Sequence, residues 1–266
     1  MSPTPPETGH GAPSILDSLI EAAIQEMRRD DDRTPALVAL QGAGTPQGLA
    51  LMVELCRSPD PIRRRLGACV LGQMHSSDQH GDMRAFPEEA CDALVRLLGD
   101  DDPGVMIDAI YALGHLRNRR CDPDLAAHRH HEDPHVRYAV AFALCGSTTP
   151  VAIDALLELI DDPYEQARDW AATALGQSVQ LDGPNIRAAL LRHTADDDVF
   201  TRAEAMRGLA RRRDARVLPA LIKAVASERM MPQLFFDAAL TYLGLDEGSD
   251  IAEDELLARL ENERAD

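Results

Sequence analysis

"DPGVMIDAIYALGHL", residues 102–116, is the stretch whose reading decides the fold. Asp-Pro opens it, and apolar residues then return every three or four positions, the spacing of one face of an α-helix. The same pattern recurs as "DPHVRYAVAFALCG" (133–146), "EQARDWAATALGQS" (165–178) and "VFTRAEAMRGLARR" (199–212). An earlier copy is "DPIRRRLGACVLGQM" (60–74) and a later one "QLFFDAALTYLG" (233–244). Aligned on the residue after the leucine, usually glycine, the anchors are Gly72, Gly114, Cys145, Gly176, Ala210 and Gly244, at intervals of 42, 31, 31, 34 and 34 residues. Counting back 31 from Gly72 reaches Gln41, the end of "TPALVALQ", a degenerate first copy. A period of this size marks a stacked array of small helical units.

A second helical pattern precedes each copy: "PEEACDALVRLL", "PVAIDALLELI", "PNIRAALLRH" and "ARVLPALIKAV". The unit is helix A, a short Asp-Pro turn, helix B and a loop. Asp caps the first amides of helix B, and Pro fits its first turn, where no amide bond is lost. Neither helix buries its apolar stripe alone, so neighbouring units must stack. Residues 14–248 are predicted to form about seven such pairs, with a longer loop, "HSSDQHGDMRAF", at 75–86. Residues 249–266 hold "IAEDELLARLENERAD", predicted to be a polar-faced capping helix. Residues 1–13 lack the basic n-region and apolar h-region of a signal peptide and read as a disordered lead-in.

The pattern D-P-x-V-R-x-x-A-x-x-A-L-G, behind a P-x-L-x-x-L-L helix, resembles the short HEAT-like repeats of bacteria, the PBS-lyase type, over roughly residues 14–244. The resemblance implies an all-α, right-handed α-solenoid with helix B on the concave side. Inner helices are expected near 103–116, 134–145, 163–177 and 198–211. It says little about function, because these repeats serve many roles.

The chain carries 45 acidic and 27 basic residues, a net charge of -18. That surface repels phosphate backbones and anionic membranes, so neither duplex nucleic acid nor a membrane is an expected partner. No apolar run approaches membrane-spanning length. The five cysteines contain no C-x-x-C pair and read as small core residues of a reducing, cytoplasmic setting.

"HRHHEDPHVR" (128–137) imitates a metal site, with His131 and His135 at i, i+4. In register, however, Asp133 to Arg137 are the ordinary turn and start of a helix B. His128 and Arg129 replace the Leu97-Leu98 and Leu159-Ile160 of other copies, leaving a short, polar helix A. Diiron hydroxylases with HEAT-like repeats carry His-Glu seven and six residues before the anchor. Here those slots hold Arg65-Leu66, Ile107-Asp108, Tyr138-Ala139, Asp169-Trp170 and Ala203-Glu204. No metal and no cofactor are expected. Arg64, Arg137, Arg168 and Arg202 recur eight residues before the anchor, with Met106 breaking the row. They are expected to tie neighbouring units together through the turn carboxylate. Arg117, Arg119, Arg120 and Arg211 to Arg213 are expected on a solvated edge.

Function should appear where the repeat leaves residues free. On helix B the slots three, seven and ten residues before the anchor face away from the buried stripe, with the sixth at the margin. They carry Ile107, Tyr111, Tyr138, Phe142 and Trp170, large apolar groups where polar ones would serve. Aromatic clusters on an open face are interface anchors, although packing across a curved surface would also recruit them. No Ser-His-Asp set, phosphate-cradling glycine loop or in-register Cys-His pair is present, so no catalytic residue is assigned. The expected function is a non-catalytic scaffold or adaptor holding a protein or peptide of basic character. The resemblance also admits an enzyme or enzyme subunit. A phycobilin lyase would use a concave aromatic strip, and an alkylpurine DNA glycosylase an acidic residue beside aromatics, as Asp169 and Trp170 stand here; the charge opposes the latter.

Overall fold

A computed structural model describes residues 14–29, 34–76, 84–177, 182–246 and 248–265. The expected lead-in and residues 77–83 of the long loop lie outside the described residues. Among the described residues the ordered elements are helical. They pair as α1 (Ile15–Arg29) with α2 (Pro35–Gln41), α3 (Pro46–Leu55) with α4 (Pro61–Gln73), and α5 (Pro87–Leu97) with α6 (Pro103–Leu116). Next come α7 (Asp122–Ala126) with α8 (Pro134–Leu144), and α9 (Pro150–Leu159) with α10 (Glu165–Gln177). The last pairs are α11 (Pro184–His193) with α12 (Val199–Arg211), and α13 (Leu218–Ser227) with α14 (Pro232–Leu243). A final helix, α15 (Glu253–Ala265), packs on α13 and α14 through buried Leu256 and Leu260.

The even-numbered helices α4 to α14 pack on one another along their lengths, whereas consecutive outer helices meet over shorter stretches. The array therefore curves with the second helix of each pair inside. Its core is one continuous cluster of Leu, Ala, Val and Ile running through the described units. The anchor glycines set the inner spacing. A Cβ on Gly72 would lie 2.6 Å from the Cα of Ala112, and one on Gly114 2.8 Å from the Cα of Ala143. Backbones approach this closely only where no side chain intervenes.

The Asp-Pro turns behave as their chemistry dictates. Asp60, Asp102, Asp133 and Asp198 accept from Ile62, Val105, His135 and Thr201 amides at 2.7–3.1 Å. Two residues before each cap stands a second acceptor. Asp100, Asp162 and Asp196 each take the amide two residues on through one oxygen, at 2.8–2.9 Å. The arginine of the preceding inner helix grips the same carboxylate with Nε and Nη2. Arg64 holds Asp100, Arg137 holds Asp162 and Arg168 holds Asp196, at 2.7–2.9 Å. Nη1 of each arginine donates back to its own turn, for example Arg137 to the His131 carbonyl at 2.9 Å. Arg202 makes the last rung with Glu228 at 2.8 Å. Burial alone would raise the Asp196 carboxyl, but Arg168 and His193 overcome it and hold it at about 2.

The missing rung is missing on both sides. Met106 replaces the arginine, and His131 stands where the turns before α6, α10 and α12 carry Asp100, Asp162 and Asp196. Its Nδ1 takes the Asp133 amide at 3.1 Å, the bond an aspartate oxygen makes elsewhere. His131 precedes α8 and so shares no helix face with His135. The other histidines go separate ways. His128 spans the Asp124 and Leu98 carbonyls at 3.0 Å, His130 meets Glu158 at 3.0 Å, and His135 lies edge-on to Tyr164. Among the described residues no group of His, Cys, Asp and Glu is arranged to hold a metal ion.

Two expectations need correction. The loop arginines are a solvated edge only in part: Arg117, Arg120 and Arg213 are exposed, but Arg212 is buried, donating to the Leu175, Gly176 and Gly208 carbonyls at 2.7–3.1 Å. Arg119 reaches the Gly146 carbonyl of the next unit at 2.6 Å, and Arg213 lies over the Tyr242 ring. Helix ends expose carbonyls that a guanidinium satisfies well. The cysteines are not five free thiols either, because Cys91 and Cys121 form a disulfide between neighbouring outer elements, Cα atoms 6.9 Å apart. Disulfides persist in oxidising compartments, so the cysteines no longer argue for a reducing one.

Candidate partner-binding face

The inner helices α8, α10 and α12 are alanine-rich on their buried sides, and the large residues of α8 and α10 stand on the open side. Tyr111 from α6 meets Tyr138 and Phe142 from α8 edge-to-face, ring centroids 6.2 and 5.1 Å apart. Phe142 meets Trp170 from α10 at 4.8 Å. The four aromatics therefore form one unbroken run across three adjacent helices. All four are half-buried, as is Ile107, which packs against the core with Tyr111 and Trp170. They are less exposed than free slots would leave them, because each ring covers its neighbour's edge.

Three participants escaped the sequence reading. Tyr164, in the turn before α10, meets Tyr138 at 6.5 Å and His135 at 5.4 Å. His115 meets Phe142 at 5.7 Å from one residue beyond the Gly114 anchor. Phe200 of α12 is 45% exposed and lines a cleft with Trp170. Phe200 stands ten residues before its anchor, an outward slot by the same helical geometry, so a signal existed. His115, four residues after Tyr111 on α6, shares its face, so helical spacing carried that signal too; only Tyr164 lies in a turn, where periodicity says nothing.

The flanks are charged. On one side Arg65 of α4 holds Asp108 of α6 at 2.7 Å. On the other, Asp169 has no hydrogen bond or ion pair among the described residues. Burial, then the charges of Asp198 and Glu204, push its carboxyl up to about 6. Burial also pushes the Cys69 thiol beside Asp108 up to about 12, leaving no thiolate nucleophile there. The Tyr111 phenol is raised too, by burial and by Tyr138. The face is apolar and neutral at its centre and offers no activated group apart from Asp169.

The Asp169 carboxyl titrates above its unfolded value, so the folded state loses stability as pH rises through the interval up to about 6. Two units correspond to about 3 kcal/mol, and partial exposure lowers this to about 1–2 kcal/mol. Asp169→Asn is expected to stabilise the protein by that amount at about pH 8 and to leave it unchanged at about pH 4. Denaturant titrations at both pH values check this; equal effects at the two would remove the like-charge account.

Comparison with known proteins now places the chain. The HEAT repeats family profile matches residues 79–145 and 153–230, together more than half of the chain. The chain belongs to the HEAT-repeat family. A PBS lyase HEAT-like repeat profile also matches residues 136–162. Protein YibA of Escherichia coli strain K12 is 29% identical over 189 residues, covering 68% of this chain and 65% of that relative. The matched part thus spans slightly less than two thirds of the relative's length. The crystal structure of E. coli YibA has a TM-score of 0.65 at 23% identity, over 97% of this chain and 99% of that one. A HEAT-like repeat protein of Thermococcus onnurineus NA1 has a TM-score of 0.56 at 12% identity, over 94% and 99% of the two chains. These likenesses establish the α-solenoid of HEAT-like units.

Proposed function

We propose that this HEAT-repeat protein is a non-catalytic scaffold or adaptor whose inner face holds a protein or peptide of basic character. The observation that carries the reading is the run Tyr111, Tyr138, Phe142 and Trp170, half-buried on three adjacent helices at positions the repeat itself does not require. Ile107 on α6 belongs to the same face by slot. Large aromatics at the centre of a face, with polar groups around them, are what binding anchors consist of. The charge of -18 would steer a basic partner toward it. Among the described residues no helix is long and apolar enough to cross a membrane. A cytoplasmic location remains part of this proposal.

The test separates packing from binding. Tyr138 loses its contacts with Tyr111 and Tyr164 in Tyr138→Ala, and the variant is expected to lose about 1–2 kcal/mol of stability while staying folded. The same change is expected to remove at least about 2 kcal/mol of affinity for the proteins that wild type retains from its native host. Melting temperature and quantitative recovery of those proteins are measured on the same preparations. Full recovery by a folded Tyr138→Ala variant would move the site elsewhere, to the edge bearing the 75–86 loop.

One observation favours a second reading, a glycosylase-like enzyme: Asp169, with its raised carboxyl, stands beside Trp170. Salt-sensitive duplex binding together with base excision would establish it; the net charge predicts only weak, non-specific association.

A further inference from the structure

We propose that the cleft between α8, α10 and α12 receives an arginine side chain of a partner polypeptide, stacked on Trp170 and Tyr138 and paired with the carboxylates of Asp169 and Asp198. This rests on reading the inner face as a protein-binding surface and names what that face selects.

The cleft has a volume of about 350 Å3 and is walled by Tyr138, Trp170 and Phe200, with Asp169, Asp198 and Glu165 at its rim and no basic residue lining it. Elsewhere in the array several half-buried carboxylates have a guanidinium, as Asp108 has Arg65, Asp100 has Arg64 and Asp196 has Arg168, at 2.7–2.9 Å, and the buried Asp122 has the Ser147 and Thr149 hydroxyls instead. Asp169 faces only like charges, those of Asp198 and Glu204. Asp198 spends one oxygen on the Thr201 amide and hydroxyl, and its other oxygen has no hydrogen-bonding partner among the described residues. The cleft is therefore short of positive charge while its walls are aromatic.

Each half of that description is permissive alone. Aromatic walls accept any apolar group, and carboxylates accept any cation. Together they select a planar cation that stacks by its face and donates by its edge, which is the guanidinium; an ammonium meets the charge but neither the plane nor the fork. The occupant belongs to a polypeptide because the aromatic run continues from the cleft through Phe142 to Tyr111. A chain anchored by its arginine would lay neighbouring apolar side chains along that run. The upward push on Asp169 fits a site that a cation completes.

Trp170 is the only tryptophan in the chain, so its emission reports on this cleft alone. The full-length protein is titrated with an acetylated, amidated Leu-Ala-Arg-Ala-Leu-Ala peptide and with its lysine and citrulline counterparts. Citrulline keeps the shape and removes the charge. The arginine peptide is expected to shift Trp170 emission saturably, the lysine peptide to bind several-fold more weakly, and the citrulline peptide at least about tenfold more weakly. Asp169→Asn is expected to weaken the arginine peptide about tenfold and leave the citrulline peptide unchanged. No saturable response to the arginine peptide, equal binding of arginine and citrulline, or an unaltered Asp169→Asn variant each overturns the arginine assignment. The wider reading fails separately, on undiminished partner recovery by Tyr138→Ala.

Discussion

Arg137→Met is expected to lower stability by about 3–5 kcal/mol, because it leaves the buried Asp162 carboxylate with its charge and without its guanidinium. For a chain of this size that is a fall in melting temperature on the order of 10 °C. The arginine side makes four contacts, two to Asp162 and two to the His131 and Glu132 carbonyls, so it joins one unit to the next and closes its own turn. The chain contains its own remedy. At the preceding unit Met106 and His131 occupy the two sides of the rung, and His131 keeps the backbone bond while carrying no obligatory negative charge. The double variant Arg137→Met with Asp162→His copies that pair and is expected to recover at least half of the loss. Denaturant unfolding of the single and double variants completes the cycle. A double variant no more stable than Arg137→Met would mean that the rung and its substitute are unrelated.

Gly72→Val is expected to cost about 3 kcal/mol, at the upper end of overpacking effects. The new Cβ would stand 2.6 Å from the Cα and 2.7 Å from the Cβ of Ala112, so two inner helices must separate rather than one side chain rotate. Because each unit contacts mainly its neighbours, the damage should concentrate at the junction of α4 and α6. Protease cleavage in the 84–102 region should accelerate while the C-terminal half keeps its protection. Gly99→Ala is the control: nothing lies within 4 Å of a Cβ there, and the effect should stay within about 0.5 kcal/mol. Equal behaviour of the two variants would contradict close approach as the reason for the anchor glycines.

These two results also mark what the amino-acid sequence made legible. The anchor interval gave the helix pairs, and the four inner helices lie within about two residues of their expected bounds. The arginine row gave the rungs, since an arginine recurring at one helical offset must meet something that recurs too. Met106 was visible as a break, but the change at His131 was not, because the two lie 25 residues apart and only the fold brings the slots together. The Cys91–Cys121 link was missed for a related reason. Their separation of 30 residues is close to one repeat, which puts them side by side on adjacent units. Arg212 was misread because a loop position in sequence became a buried cap on the ends of two helices. The candidate face was legible in its four aromatics, and in His115 had the slot after the anchor been counted, but illegible in Tyr164, which reaches it from a turn. Helical periodicity describes only residues inside helices.

The claim at the centre is that the inner aromatic run is where a protein partner sits. Side-chain footprinting with hydroxyl radicals reads it directly, on the full-length protein alone and saturated with a partner retained from its native host. Tyr111, Tyr138, Phe142 and Trp170 are expected to lose reactivity together on binding, while Leu19, Leu51 and Val53 on or near the outer N-terminal units keep theirs. Unchanged reactivity of all four aromatics, with protection appearing elsewhere on the solenoid, would contradict the account.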